Sequence, residues 1–118
     1  MKTLVIGASE NSERYSFKAV NMLQEFGHQV VALGLKAGKI NSTEIITGRP
    51  VLEEIDTVTL YIGKDRQPEY YDYLISLKPR RIIFNPGTEN SIFQELAEQN
   101  NIHVEIACTL VLLSTGQF

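Results

Sequence analysis

A chain of 118 residues can form one domain with its own core, without metal or disulfide to hold it together. At 43% apolar and 21% charged, with a single cysteine, its composition excludes a disordered tail and a disulfide scaffold. A net charge of −3 without basic runs argues against nucleic acid as a partner, and no apolar stretch suits a membrane span or secretory leader, so a cytoplasmic protein is expected.

In chain order, Leu4-Val5-Ile6 is a short apolar strand ending at Gly7, and a polar loop from Ala8 to Tyr15 carries Arg14. Ser16 opens a helix whose apolar face is Ala19, Met22, Leu23 and Phe26, and Gly27 stops it. Val30-Val31-Ala32-Leu33 is a strand buried on both faces, ended by Gly34 and followed by a loop with Lys36, Gly38 and Lys39. Ile40 to Glu54 is expected to be a long, partly irregular connection with at most one helical turn; Ile45-Ile46 and Val51-Leu52 are short extended pieces within it. Val58 to Ile62 is β-branched and aromatic, a strand closed by Gly63. Pro68 suits a first helical turn, and Tyr70, Tyr73, Leu74 and Leu77 continue that helix to Lys78-Pro79. Arg81 to Phe84 is a strand running into Asn85-Pro86-Gly87. Thr88 or Asn90 caps the next helix, with Ile92, Phe93, Leu96 and Ala97 inward. His103 to Ile106 is the last strand, and Cys108 to Leu113 is either a helix closing the sheet or part of a homodimer contact.

Strands alternating with helices predict an α/β fold: a Rossmann-like, doubly wound, mainly parallel five-stranded sheet of order 3-2-1-4-5, as a single domain over 1–118. Ligands of such sheets lie beyond the carboxyl ends of the strands where the order reverses, which gathers the loops that follow Ile6, Leu33, Ile62 and Phe84. The first of these loops has the makings of an anion site. Unpaired amides of a helix's first turn and its positive dipole end favour phosphate. Gly7 permits close backbone approach, Ser9 and Ser16 supply hydroxyls, and Arg14 supplies a charge matched to phosphate oxygens. A nicotinamide dinucleotide fits poorly. Gly7-Ala8-Ser9-Glu10-Asn11-Ser12 keeps only the first glycine of the dinucleotide fingerprint, and Leu33-Gly34-Leu35-Lys36 offers no acid for a ribose hydroxyl. Lys36 and Lys39 instead suit an extra phosphate on the ribose, as in NADP or coenzyme A (CoA).

Gly7-Ala8-Ser9 with Arg14-Tyr15-Ser16, Gly48-Arg49-Pro50-Val51, Asn85-Pro86-Gly87 and Cys108 together resemble the small single-domain CoA-binding proteins of bacteria. That family is similar to the N-terminal CoA-binding domain of the succinyl-CoA synthetase alpha subunit, whose Pro-Gly-Lys stretch is matched in part by Ala37-Gly38-Lys39. The resemblance implies that Gly7, Ser9, Arg14 and Ser16 hold the pyrophosphate, and that Gly34, Lys36 and Lys39 lie near the adenosine 3′-phosphate. It further implies that Ile62 and Gly63 border the adenine or pantetheine arm, with Pro86 and Gly87 as the far wall. Two departures, Gly34-Leu35 in place of an Asn-Pro pair and Gly63-Lys64 in place of paired arginines, imply a weaker grip or a different acyl-nucleotide.

No residue set predicts catalysis or a metal centre. Cys108 reads as a small buried apolar residue, and His28 and His103 stand at strand entrances, away from the predicted crevice. Asp65 suits a helix cap better than acid–base work. The expected function is binding of CoA or an acyl-CoA without self-contained catalytic machinery. The alternatives are a small NADP-dependent or acyl-transfer enzyme and a ligand-free regulatory domain.

Overall fold

Burial along the first strand sets the layers. In β1 (Lys2–Ile6) Leu4 and Ile6 pack to one side and Val5 to the other, and all three are buried, as in a central parallel strand covered on both faces. The computed structural model describes residues 2–118. After β1 come α1 (Tyr15–Glu25), β2 (Gln29–Leu33), β3 (Gly38–Ile40), β4 (Thr43–Ile46), β5 (Ile55–Leu60), α2 (Tyr71–Ser76), β6 (Arg81–Phe84), α3 (Ser91–Gln99), β7 (His103–Ile106) and α4 (Thr109–Ser114).

The fold class is the expected α/β, Rossmann-like one, but the sheet differs in two respects. Among the described residues it has seven strands, not five, in the order β3-β4-β2-β1-β5-β6-β7. The five anticipated strands therefore run 2-1-3-4-5 rather than 3-2-1-4-5. The cause lies in the connection expected to be irregular. Its first half forms the antiparallel hairpin β3–β4, and β4 pairs in parallel with β2 through Ala32↔Ile45 and Leu33↔Ile46. That hairpin occupies the outer edge of β2, so β5 takes the other side of β1. The order reverses at β1, and parallel neighbours on both sides of its carboxyl end leave a crevice there.

Helices α1 and α4 cover the face of Val5, where Val20, Leu23, Ala32 and Leu113 form one buried cluster. On the opposite face Leu4 and Ile6 pack with Leu74 of α2 and with Phe84, Phe93 and Ala97 of β6 and α3. Phe84 and Phe93 meet edge to face at 5.7 Å between centroids. The segment from Cys108 to Leu113 thus resolves mainly to α4, packed on α1. The helix expected from Pro68 is shorter: two 3-10 turns, Lys64–Arg66 and Pro68–Tyr70, precede α2. Asn90, not Thr88, caps α3, its Oδ1 accepting from the amides of Ile92 and Phe93. Among the described residues no helix is long and apolar enough to cross a membrane.

Candidate functional site

The carboxyl end of β1 opens into a cleft of about 580 Å³, within the range of roughly 300–1,000 Å³ usual for small-molecule sites. Four loops build it. The first contributes Gly7, Ser9, Arg14 and Ser16, and the loop after β2 contributes Leu35 and Lys36. Ile62 and Gly63 follow β5, while Pro86 and Gly87 form the wall after β6. Nine of the eleven residues expected at the site therefore line one cavity. Gly34 and Lys39 lie outside it.

Gly34 is explained by packing. A Cβ there would come within 2.4 Å of the Ala8 carbonyl oxygen, so this glycine lets the second loop pass under the first. Lys39 sits on β3 beside a smaller depression that it shares with Ala37, Gly38, Glu44 and Ile45. Gly7 lines the cleft but not as an amide donor. Its N–H and that of Ala8 both donate to the Leu33 carbonyl at 2.9 Å. Its φ of +94° and the 2.9 Å to which a Cβ would approach Ile62 make glycine obligatory on two counts.

The free donors stand one turn further on. Asx and Ser turns fold the loop, with the Asn11 amide donating to Ser9 Oγ and the Glu13 amide to Asn11 Oδ1. Arg14 then takes the N-cap position in extended conformation, and no side chain caps the helix behind it. The first-turn amides of Tyr15, Ser16 and Phe17 lack the usual internal acceptor, and no acid in that turn offsets the dipole. Tyr15 and Ser16 face the cleft, Ser16 being buried. Around them stand three cations, Arg14, Lys36 and Arg66, none in a salt bridge among the described residues. Arg66, from the 3-10 turn after Gly63, was not anticipated. Its signal in the sequence is the single arginine of Gly63-Lys64-Asp65-Arg66, three positions beyond Gly63.

Two buried amide side chains hold the far walls. Gln67, fully buried, donates through Nε2 to the carbonyls of Ile62 at 3.0 Å and Thr88 at 2.8 Å, bridging the loops after β5 and β6. Its Oε1 accepts from Asn90 Nδ2, which also reaches the Tyr71 hydroxyl. Asn85 donates to Thr59 Oγ1 and the Leu60 carbonyl and accepts from the Thr109 amide, tying β5, β6 and α4 together. Beyond it Pro86 and Gly87 make a turn closed by the Thr88 amide on the Asn85 carbonyl, and Gly87 takes the φ of +91° that a type II turn requires. A lone glutamine such as Gln67 carries no pattern by which one sequence could reveal it.

Tyr61 lines the cleft, and its side chain packs on the cluster beneath α1 and α4 with its hydroxyl buried and without a hydrogen-bond partner among the described residues. Burial pushes the phenol up to about 12, with the nearby Thr109 and Thr59 hydroxyls acting in the opposite direction. Cys108, expected to be buried, is half-buried at the N-cap of α4. His28 and His103 stand at the amino ends of β2 and β7, away from the cleft. Among the described residues no cluster of histidine, cysteine and carboxylate side chains suits a metal.

Comparison with known proteins agrees with this geometry. A family model described as "CoA binding domain" matches residues 1–114. The solved structure of an uncharacterized protein is 47% identical, covers 99% of this chain and 97% of its own, and superposes with a TM-score of 0.97. A Thermus thermophilus protein, cell-free ID.343, shares the fold at 16% identity and a TM-score of 0.86, over 99% of this chain and 90% of that one. A hypothetical protein from Pyrococcus horikoshii OT3 does so at 19% and 0.85, over 96% and 81%. No curated protein matches.

Proposed function

Because the chain belongs to the CoA binding domain family, we propose that it is a binding module for coenzyme A or an acyl-CoA, acting as one unit over residues 1–118. The observation that carries this reading is the uncapped N-terminus of α1, which opens into a cleft flanked by Arg14, Lys36 and Arg66. First-turn amides and the helix dipole bind phosphate oxygens without any special chemistry, and a guanidinium adds a bidentate donor. In this reading the pyrophosphate lies against Ser9, Arg14, Tyr15 and Ser16, with Arg66 completing the ring of charge.

The adenosine points toward Leu35 and Lys36, since a ligand anchored at the first loop of such a sheet extends over the end of its second strand. Leu35 is 70% exposed, and an apolar side chain held open at a cleft rim suits the face of a base. The pantetheine arm runs the other way, past Ile62 and Gly63 to Pro86 and Gly87. Tyr61 lines the same stretch of the cleft.

Isothermal titration calorimetry with CoA, acetyl-CoA, NAD and NADP tests the assignment. CoA and acetyl-CoA are expected to bind in preference to both dinucleotides; NAD binding with no response to CoA would overturn it. Consumption of acyl-CoA or oxidation of NADPH by the purified protein would instead support the enzyme reading.

A further inference from the structure

We propose that the outer edge of β7 pairs with β7 of a second copy of this chain, antiparallel and with the two-fold axis at Val104. An open sheet has two edge strands, here β3 and β7, and an unpaired edge attracts other strands unless something blunts it. The chain blunts one edge itself. β3 is only three residues long, and its Lys39 amide donates to Glu10 Oε2 at 3.0 Å. Nothing comparable covers β7 among the described residues.

The edge that β7 presents is regular. The amides of His103 and Ala107 turn inward to the carbonyls of Arg80 and Phe84, so by alternation the N–H and C=O groups of Val104 and Ile106 turn outward. His103-Val104-Glu105-Ile106 contains neither proline nor lysine, the usual guards of an edge. Aliphatic surface accompanies it. Ile106 ends the strand, Ile92 stands in the first turn of α3, and Val111 is on α4; all three are more than half exposed. Helices on both faces of the sheet therefore extend the edge into a broader apolar margin.

Hydrogen bonding restricts a two-fold pairing to registers that set outward-facing residues opposite one another, and charge chooses among them. An axis at Glu105 puts two carboxylates face to face, which is destabilising. Axes at His103 or Ile106 leave Glu105 with no cation opposite. An axis at Val104 sets His103 of each copy against Glu105 of the other, in the non-hydrogen-bonded pairs whose Cα atoms approach to roughly 4.5 Å. Glu105 has an oxygen to spare. Its Oε1 accepts from Arg81 at 3.1 Å and has its own His103 at 3.7 Å, while Oε2 has no partner among the described residues. An imidazole donates to such a carboxylate in either protonation state. The same axis bonds Val104 to its own copy and brings Ile106 against Ile102 of the other chain.

Light scattering of the intact protein over a range of concentrations, with amide hydrogen exchange, tests this. A species of twice the 13.3 kDa chain mass is expected, in which the Val104 and Ile106 amides exchange slowly. On dilution to monomer both should become fast, while His103 and Glu105 stay protected by β6. His103→Glu sets carboxylates opposite Glu105 and should raise the dimer dissociation constant at least about tenfold, whereas His103→Lys keeps a donor there and should keep the dimer. Val104→Pro removes the central outward donor and should give a monomer. A monomer at every concentration overturns the proposal. So does a dimer whose Val104 and Ile106 amides exchange freely, or one that His103→Glu leaves unchanged. None of these readouts involves the cleft, so the proposal stands or falls apart from the CoA reading.

Discussion

Arg14 occupies the N-cap of α1 without capping it, a position where serine, threonine or aspartate would be more stabilising for the helix. It stands in a cleft with Lys36 and Arg66, none of the three in a salt bridge among the described residues, and the proposed binding of a diphosphate turns on it. Arg14→Ala should weaken CoA binding by about 1.5–3 kcal/mol, the scale of a charge-assisted hydrogen bond, with thermal stability nearly unchanged. Calorimetry and a melting curve on the same sample check both halves. Tyr61 poses the opposite case, a buried hydroxyl without a partner among the described residues. Its folded-state value of about 12 exceeds the ordinary 10.0, so the unfolded chain loses that proton first. The associated stability is intact below pH 10 and is lost as pH rises toward 12. Tyr61→Phe should leave stability at pH 7 unchanged or raise it by up to about 1 kcal/mol, since an orphaned hydroxyl is removed. It should also flatten the decline between pH 10 and 12, as read by urea unfolding at each pH.

At the scale of elements, the cleft depends on loops that are not held by their own hydrogen bonds alone. Gln67 clamps the loop after β5 to the loop after β6 through two carbonyls, and Asn90 fastens that clamp to α3. Gln67→Leu preserves volume but strands the Ile62 and Thr88 carbonyls, and it should cost about 2–4 kcal/mol in urea unfolding while weakening CoA binding. Unchanged stability would show that the walls do not depend on this side chain. Elements with a strong period were legible in the sequence. The apolar faces of α1 and α3 and the uniform runs of β1, β2 and β6 show their class without ambiguity. The β3–β4 hairpin was not legible, because three- and four-residue strands are too short for alternation to show. Glu10 reads in the sequence as a solvated or helix-start charge, for a related reason. Its partner at Lys39 lies 29 residues away on that hairpin, and the contact is through a backbone amide that sequence does not mark.

At the scale of the whole molecule, the strand order was the part least accessible to sequence. Parallel strands buried on both faces look alike, so nothing in Val30 to Leu33 tells which neighbour takes its free edge. The convergence of the four loops does not depend on that order, because both orders place a reversal beside β1 and bring the same carboxyl ends together. The residues expected at the site accordingly met in one cleft, except Gly34, used for packing, and Lys39, carried off by the hairpin.

The central claim is that a diphosphate rests on the open amino end of α1. Amide chemical shifts of the ¹⁵N-labelled protein, followed as CoA is added, test it most directly. The account predicts the largest changes at Tyr15, Ser16 and Phe17, smaller ones at Gly63 and Gly87, and none at His28 or His103. Changes confined to the amino ends of the strands, with the first turn of α1 unmoved, would contradict it.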